Sequence, residues 1–162
     1  MPVYFQASEL LEASIRIEKN GEAFYRGIGK KLKDPKAVEL FDYLSKEDAR
    51  HAGIFSEILQ KIGTYEPDGE SYPGEYRAYL KTFADHHIFN KENTGLLLAN
   101  RMHSSEDILN FAIRIELESM FFYMEVKHYV PKTQMAVIDQ IVEEERSHYL
   151  KLIQLQPTIS KL

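Results

Sequence analysis

The strongest constraint on this chain is a polar pattern that recurs about a hundred positions apart inside two helical stretches. Ser14-Ile-Arg-Ile-Glu18, followed by Phe24-Tyr25, returns as Ala112-Ile-Arg-Ile-Glu116, followed by Phe122-Tyr123, at an offset of 98. Further on in each half, Asp48-x-x-His51 returns as Glu145-x-x-His148, at an offset of 97. A carboxylate and a histidine three residues apart leave one face of a helix and can address a single point. One such pair means little, because helix surfaces are rich in both residues. Two pairs, each matched by a repeat-related Glu within an apolar stripe, point to two copies of one helical hairpin.

The rest of the chain agrees with that reading. Helical periodicity runs from about Ser8 to Lys33, with Leu11, Ile15, Glu18, Phe24 and Ile28 in phase. Asp34-Pro35 starts a second helix, the Asp as cap and the Pro where no bond is lost. That helix reaches about Ile62 and stops at Gly63, with Val38, Phe41, Leu44, Ile54, Phe55 and Ile58 as its expected buried stripe. A third opens near Ser104, with Asp107 as its capping partner, and continues to about Tyr129. The fourth spans about Thr133 to Leu155 and is expected to stop at Pro157. Short links within each pair make antiparallel hairpins. Gly63 to His103 forms a long crossover with short helices expected at about Glu75–Phe89 and Leu96–Met102. No alternating strand pattern competes, so the expected fold is an all-α, ferritin-like four-helix bundle in one domain, residues 1–162.

Composition narrows the function. With 20 Lys and Arg against 25 Asp and Glu, the net charge of −5 argues against a nucleic-acid binder. There is no cysteine, which removes disulfides, thiolate nucleophiles and cysteine-ligated iron within this sequence. Met1-Pro2-Val3-Tyr4-Phe5-Gln6 lacks the basic start and apolar run of a signal peptide, and no segment is apolar enough to span a membrane. A cytoplasmic protein is expected.

Glu18, Asp48, His51, Glu116, Glu145 and His148 together reproduce the ligand pattern of ferritin-like two-metal sites: one Glu from each of two helices and a carboxylate-x-x-His from each of the others. Four carboxylates converging in a low-dielectric core would repel one another and lose hydration. Two divalent cations supply the four positive charges that balance them. Mixed carboxylate and imidazole ligands suit iron or manganese, although zinc also binds such sets.

The segments Ile17–Tyr25, Lys46-Glu47-Asp48-Ala49-Arg50-His51 and Glu143-Glu144-Glu145-Arg146-Ser147-His148-Tyr149 resemble the rubrerythrin family across both hairpins. The resemblance implies that these six residues bind two irons, with Asp48 and Glu145 bridging and Tyr25 and Tyr123 as supporting tyrosines. It also implies reaction with hydrogen peroxide or dioxygen, in oxidative stress or iron metabolism, and pairing into a homodimer. The alternatives are a ferroxidase-type metal-handling protein, or a helical module that uses its metals structurally. Three departures stand out. Asp48 replaces the usual Glu, with Glu47 beside it as a rival. Ser119, with Gly21 as its counterpart, stands where an extra Glu is common; both are small, which allows either close helix packing or room for a small oxidant. With no cysteine for a rubredoxin-like module, electrons are expected from a separate partner, or turnover is expected to be slow. His86, His87, His103 and His128 are read as surface or crossover residues, and Glu22, Glu118 and Glu125 as solvated or supporting positions. Tyr4, Phe5, Phe83, Phe89, Phe121 and Phe122 are read as core or dimer contacts. Tyr72, Tyr76 and Tyr79 are expected to pin the crossover to the bundle.

Overall fold

In the computed structural model, residues 7–63, 65, 74–87, 89 and 92–159 are described. Six α-helices follow one another: α1 (Ala7–Gly29), α2 (Pro35–Ile62), α3 (Gly74–Asp85), α4 (Gly95–Arg101), α5 (Ser105–Val126) and α6 (Lys132–Ile159). A 3₁₀ turn, Lys127–Tyr129, continues α5. No strand occurs among the described residues. Helix α1 packs on α2 and α5, and α6 packs on α5 and α2, so the four long helices form a closed ring of neighbours. The two hairpins face each other through the α1–α5 and α2–α6 seams.

The helix ends follow local chemistry. The Asp34 carboxylate accepts from the Ala37 amide at 2.9 Å, capping α2 just before Pro35. Gly63 ends α2 with a φ of 52°, which a side chain would resist. Ser104 caps α5 through the Asp107 amide. Two boundaries differ from expectation. Helix α1 ends at Gly29, and the next turn is closed by Lys31 and Leu32 amides donating to the Ile28 carbonyl. Helix α6 runs through Pro157 to Ile159. Only one helical turn is affected there, and Pro157 and Thr158 are exposed, so water can serve the carbonyl the proline leaves open.

The core is in two apolar clusters with a polar layer between them. One holds Leu11, Ile17, Phe55, Phe122, Tyr123, Val126, Ile138 and Ile141. The other holds Phe24, Tyr25, Ile28, Phe41, Leu44, Leu109 and Leu152. Each large side chain contributes roughly 1.5–3 kcal/mol through burial. That margin offsets the cost of sinking carboxylates between the clusters. The buried stripe of α2 runs through Ala37, Phe41, Leu44, Asp48, His51, Phe55 and Ile58. Val38, one residue out of phase, is exposed, contrary to its expected place in the stripe.

The crossover lies against the α1–α5 side. Gly95 approaches the α1 backbone so closely that a Cβ would sit 1.8 Å from the Asn20 carbonyl oxygen, and its amide donates to Asn20 Oδ1 at 3.1 Å. Leu80, Ala84, His87 and Phe89 are buried, while Phe83 stacks on Phe122. Tyr79 is half-exposed and stacks on Phe83, which with the buried Leu80 holds this helix against the bundle. Tyr72 and the side chain of Tyr76, as well as Tyr4 and Phe5, lie outside the described residues.

Candidate metal centre

Each long helix delivers its polar residues to the layer between the apolar clusters. Glu18 comes from α1, Asp48 and His51 from α2, Glu116 from α5, and Glu145 and His148 from α6; all six are at most 4% exposed. They meet as two overlapping groups. Glu18, Asp48, His51 and Glu145 offer ligand atoms within 4.8 Å of one another, as do Asp48, Glu116 and His148. Asp48 belongs to both groups. Glu145 Oε1 likewise lies between the two imidazoles, 3.0 Å from His51 Nδ1 and 3.6 Å from His148 Nδ1. His51 Nδ1 is also 3.7 Å from Glu18 Oε2, and His148 Nδ1 is 3.6 Å from Glu116 Oε2. The two rings stack with centroids 5.8 Å apart.

These donors fit metal ions better than they fit one another. His51 Nδ1, His148 Nδ1, Glu116 Oε2 and Glu145 Oε1 are fully buried and make no hydrogen bond, although all face the same small volume. Buried polar atoms seldom go unsatisfied. Two cations seated among them would satisfy all four. The electrostatics agree. Burial, then the charges of Glu18, Glu116 and Glu145, hold the Asp48 carboxyl well above its ordinary range. Burial and the charges of Glu116 and Glu18 do the same to Glu145. Burial opposes charge on His51, but the Glu145 and Glu18 carboxylates outweigh it and push the ring up to about 12. For Glu116, burial is outweighed by neighbouring His148 and the Tyr25 hydroxyl, which lower it. As bare side chains, the layer therefore holds protons where divalent cations would hold it without them.

Tyr25 and Tyr123 are fully buried, one in each apolar cluster. The Tyr25 hydroxyl donates to Glu116 Oε1, and the Tyr123 hydroxyl donates to Glu18 Oε1. Each tyrosine thus serves the glutamate of the opposite hairpin. Burial and the adjacent carboxylates raise both phenols well above their ordinary value, so they remain protonated donors.

Two residues in this neighbourhood, Glu144 and Arg50, were not singled out by the sequence, and Glu47 was weighed only as a rival to Asp48. Glu144 Oε2 lies 2.7 Å from His51 Nε2, the nitrogen facing away from the centre. Glu47 Oε2 lies 3.9 Å from His148 Nε2. Arg50 bonds both glutamates. The offset of 97 that pairs Asp48 with Glu145 also pairs Glu47 with Glu144, so the signal was present in the repeat. Glu47 is consequently outside the converging layer and is no substitute for Asp48.

Gly21 and Ser119 are both buried beside the centre. The Gly21 position does not leave space for an oxidant: a Cβ there would meet Asp48 Oδ2 at 2.1 Å. The glycine makes room for the aspartate. A cleft of about 300 Å³ between α1 and α2 is lined by Tyr25, Gly29, Val38 and Ser45 among others, although Tyr25 itself is fully buried. A larger cavity of about 610 Å³ near the α1–α2 turn holds none of the six residues. Of the remaining histidines, His86, His103 and His128 are exposed. His87 is in the crossover as expected, yet it is buried; its Nδ1 accepts from the Phe89 amide at 3.1 Å.

The family model for rubrerythrin matches residues 9–93. A solved ferritin-like diiron-carboxylate protein from Thermotoga maritima superposes with a TM-score of 0.71, covering 95% of this chain and 96% of its own at 22% identity. At that identity the likeness establishes the fold. A magnesium-protoporphyrin IX monomethyl ester [oxidative] cyclase from Cyanidioschyzon merolae is 37% identical over 57 residues. That match covers 34% of this chain and only 17% of the cyclase.

Proposed function

Since this chain belongs to the rubrerythrin family, we propose that it is a di-iron oxidoreductase that reacts with hydrogen peroxide or dioxygen. The observation that carries the reading is the convergence of six buried residues, four of which present an inward-facing atom with no hydrogen-bond partner. Glu18 and His51 would hold one ion and Glu116 and His148 the other, with Asp48 and Glu145 reaching both. Two irons cycling between ferrous and ferric supply the two electrons that cleavage of an O–O bond requires.

The protein's own contribution is position, charge and dryness. The Tyr25 and Tyr123 hydroxyls fix Glu116 and Glu18, so the terminal carboxylates keep their orientation as charge at the centre changes. The apolar clusters on both sides exclude bulk water. His51 would give up its proton to an ion seated at the centre and offer Nδ1 as the ligand atom. With no cysteine in this sequence, electrons are delivered by an external donor.

Anaerobic loading with ferrous iron, followed by separate exposure to peroxide and to dioxygen, tests the proposal. Two irons per chain and rapid, stoichiometric oxidation by peroxide are expected. Slow oxidation by dioxygen alone would instead favour metal handling. Inert metals would refute redox function altogether. His51→Ala and His148→Ala should each lose two-metal binding while the helical content persists.

A further inference from the structure

The repeat supplies each imidazole with a matching glutamate from the facing helix: Glu144 for His51, Glu47 for His148. The two are not used alike. Glu144 lies within hydrogen-bond distance of His51 Nε2, at 2.7 Å, and is itself held by Gln140 Nε2 at 3.1 Å. Glu47 stays 3.9 Å from His148 Nε2, which is fully buried and makes no hydrogen bond. The cause is Arg50. Its Nε and Nη2 grip the two Glu47 oxygens at 3.2 and 2.7 Å, and Nη2 also reaches Glu144 at 2.5 Å. At the offset of 97 its counterpart is Ser147, so nothing equivalent acts on the other half.

A carboxylate on the outer nitrogen of a metal-binding imidazole fixes the tautomer, steadies the ring and makes the inner nitrogen a better donor; losing it costs roughly 10- to 100-fold in metal affinity. His51 has that support. The His148 ring is placed instead by packing, its edge meeting Tyr43 at 5.7 Å between centroids.

We propose that Arg50 is a positioning residue that makes the two metal positions unequal, holding Glu47 off His148 so that the His51 position fills first and more tightly. This rests on the six-ligand reading above. The Arg50 charge opposes cations at both positions, so its removal raises both affinities; the ratio between them and the order of filling report its positioning role.

The test uses Co²⁺ as probe, followed by calorimetry and by the NMR signals of the histidine rings. In the native sequence the first equivalent should perturb His51 ahead of His148, with stepwise affinities separated by roughly 10- to 100-fold. Arg50→Met removes a half-exposed side chain and leaves the core intact. It should free Glu47 to close on His148, shrinking the separation about tenfold, and the added change Glu47→Gln should restore it. Glu47→Gln alone should lower both affinities through the lost charge while leaving the order of filling unchanged. An even split of the first equivalent between the two rings would overturn the inference, and so would an Arg50→Met protein with unchanged order and separation. Uptake of fewer than two Co²⁺ would bring down the six-ligand reading and the inference together, whereas two equal sites would bring down the inference alone.

Discussion

At the scale of single residues, the centre depends on what is small as much as on what is charged. Gly21 is the clearest case, because the Asp48 carboxylate occupies the space where a side chain would begin. Replacing a mid-helix glycine by alanine ordinarily stabilises by up to about 1 kcal/mol. Gly21→Ala should therefore keep or slightly raise thermal stability while lowering metal affinity at least tenfold, as Asp48 is pushed aside. Calorimetry with Mn²⁺ beside a thermal melt would show the two effects moving apart; unchanged metal affinity would mean that Asp48 does not need that space. The six converging residues were legible in the sequence because their spacing is written twice. Glu144 and Arg50, and the outward role of Glu47, were harder to find. Their roles depend on contacts across the α2–α6 seam, and helical periodicity records only which face a residue occupies. The same limit explains Gly21, whose smallness was visible but whose neighbour was not.

At the scale of elements, the four long helices were readable from apolar spacing and caps, whereas the crossover's hold on the bundle was not. Helix α4 reaches α1 through Gly95, where a Cβ would collide with backbone and not with a movable side chain. Gly95→Ala should cost about 1–3 kcal/mol in chemical denaturation, since α4 must lift away from α1. A neutral result would show that the contact is dispensable. His87 ties the same segment down. Burial lowers its pKa to about 4, and Nδ1 already accepts the Phe89 amide, leaving no place for a second ring proton on that side. The unfolded chain takes up this proton near the ordinary value of 6.5 and the folded chain only near 4, so the contribution to stability is full above 6.5 and is lost as pH falls through that window. The NMR signals of the His87 ring should titrate near 4; a midpoint in the usual histidine range would contradict its burial. Composition marks a histidine as exposed by default, and only the return of the chain past Phe122 and Phe89 buries this one.

For the whole molecule, folding and metal binding are one equilibrium. In chelated protein, Asp48 and Glu145 are raised above their ordinary range and His51 reaches about 12, so the folded state binds more protons than the unfolded chain. The His51 contribution is complete below 6.5 and fades as pH rises toward 12; the carboxyl contributions fade as pH climbs above the ordinary carboxylate range. The melting temperature of chelated protein should therefore fall between about pH 6 and about pH 9, while the increase produced by added Fe²⁺ or Mn²⁺ grows over the same interval. A chelated protein whose stability rises with pH across that range would show that the layer does not hold those protons. No described helix is long and apolar enough to cross a membrane. The crossed tyrosines carry a different kind of consequence. Because Tyr25 serves Glu116 and Tyr123 serves Glu18, neither hairpin contains a finished site. Two identical hairpins meeting about a twofold axis would each receive the other's hydroxyl and so complete both. In one polypeptide the exchange joins two unlike halves, so a change in either is felt at the opposite glutamate without being copied into its counterpart.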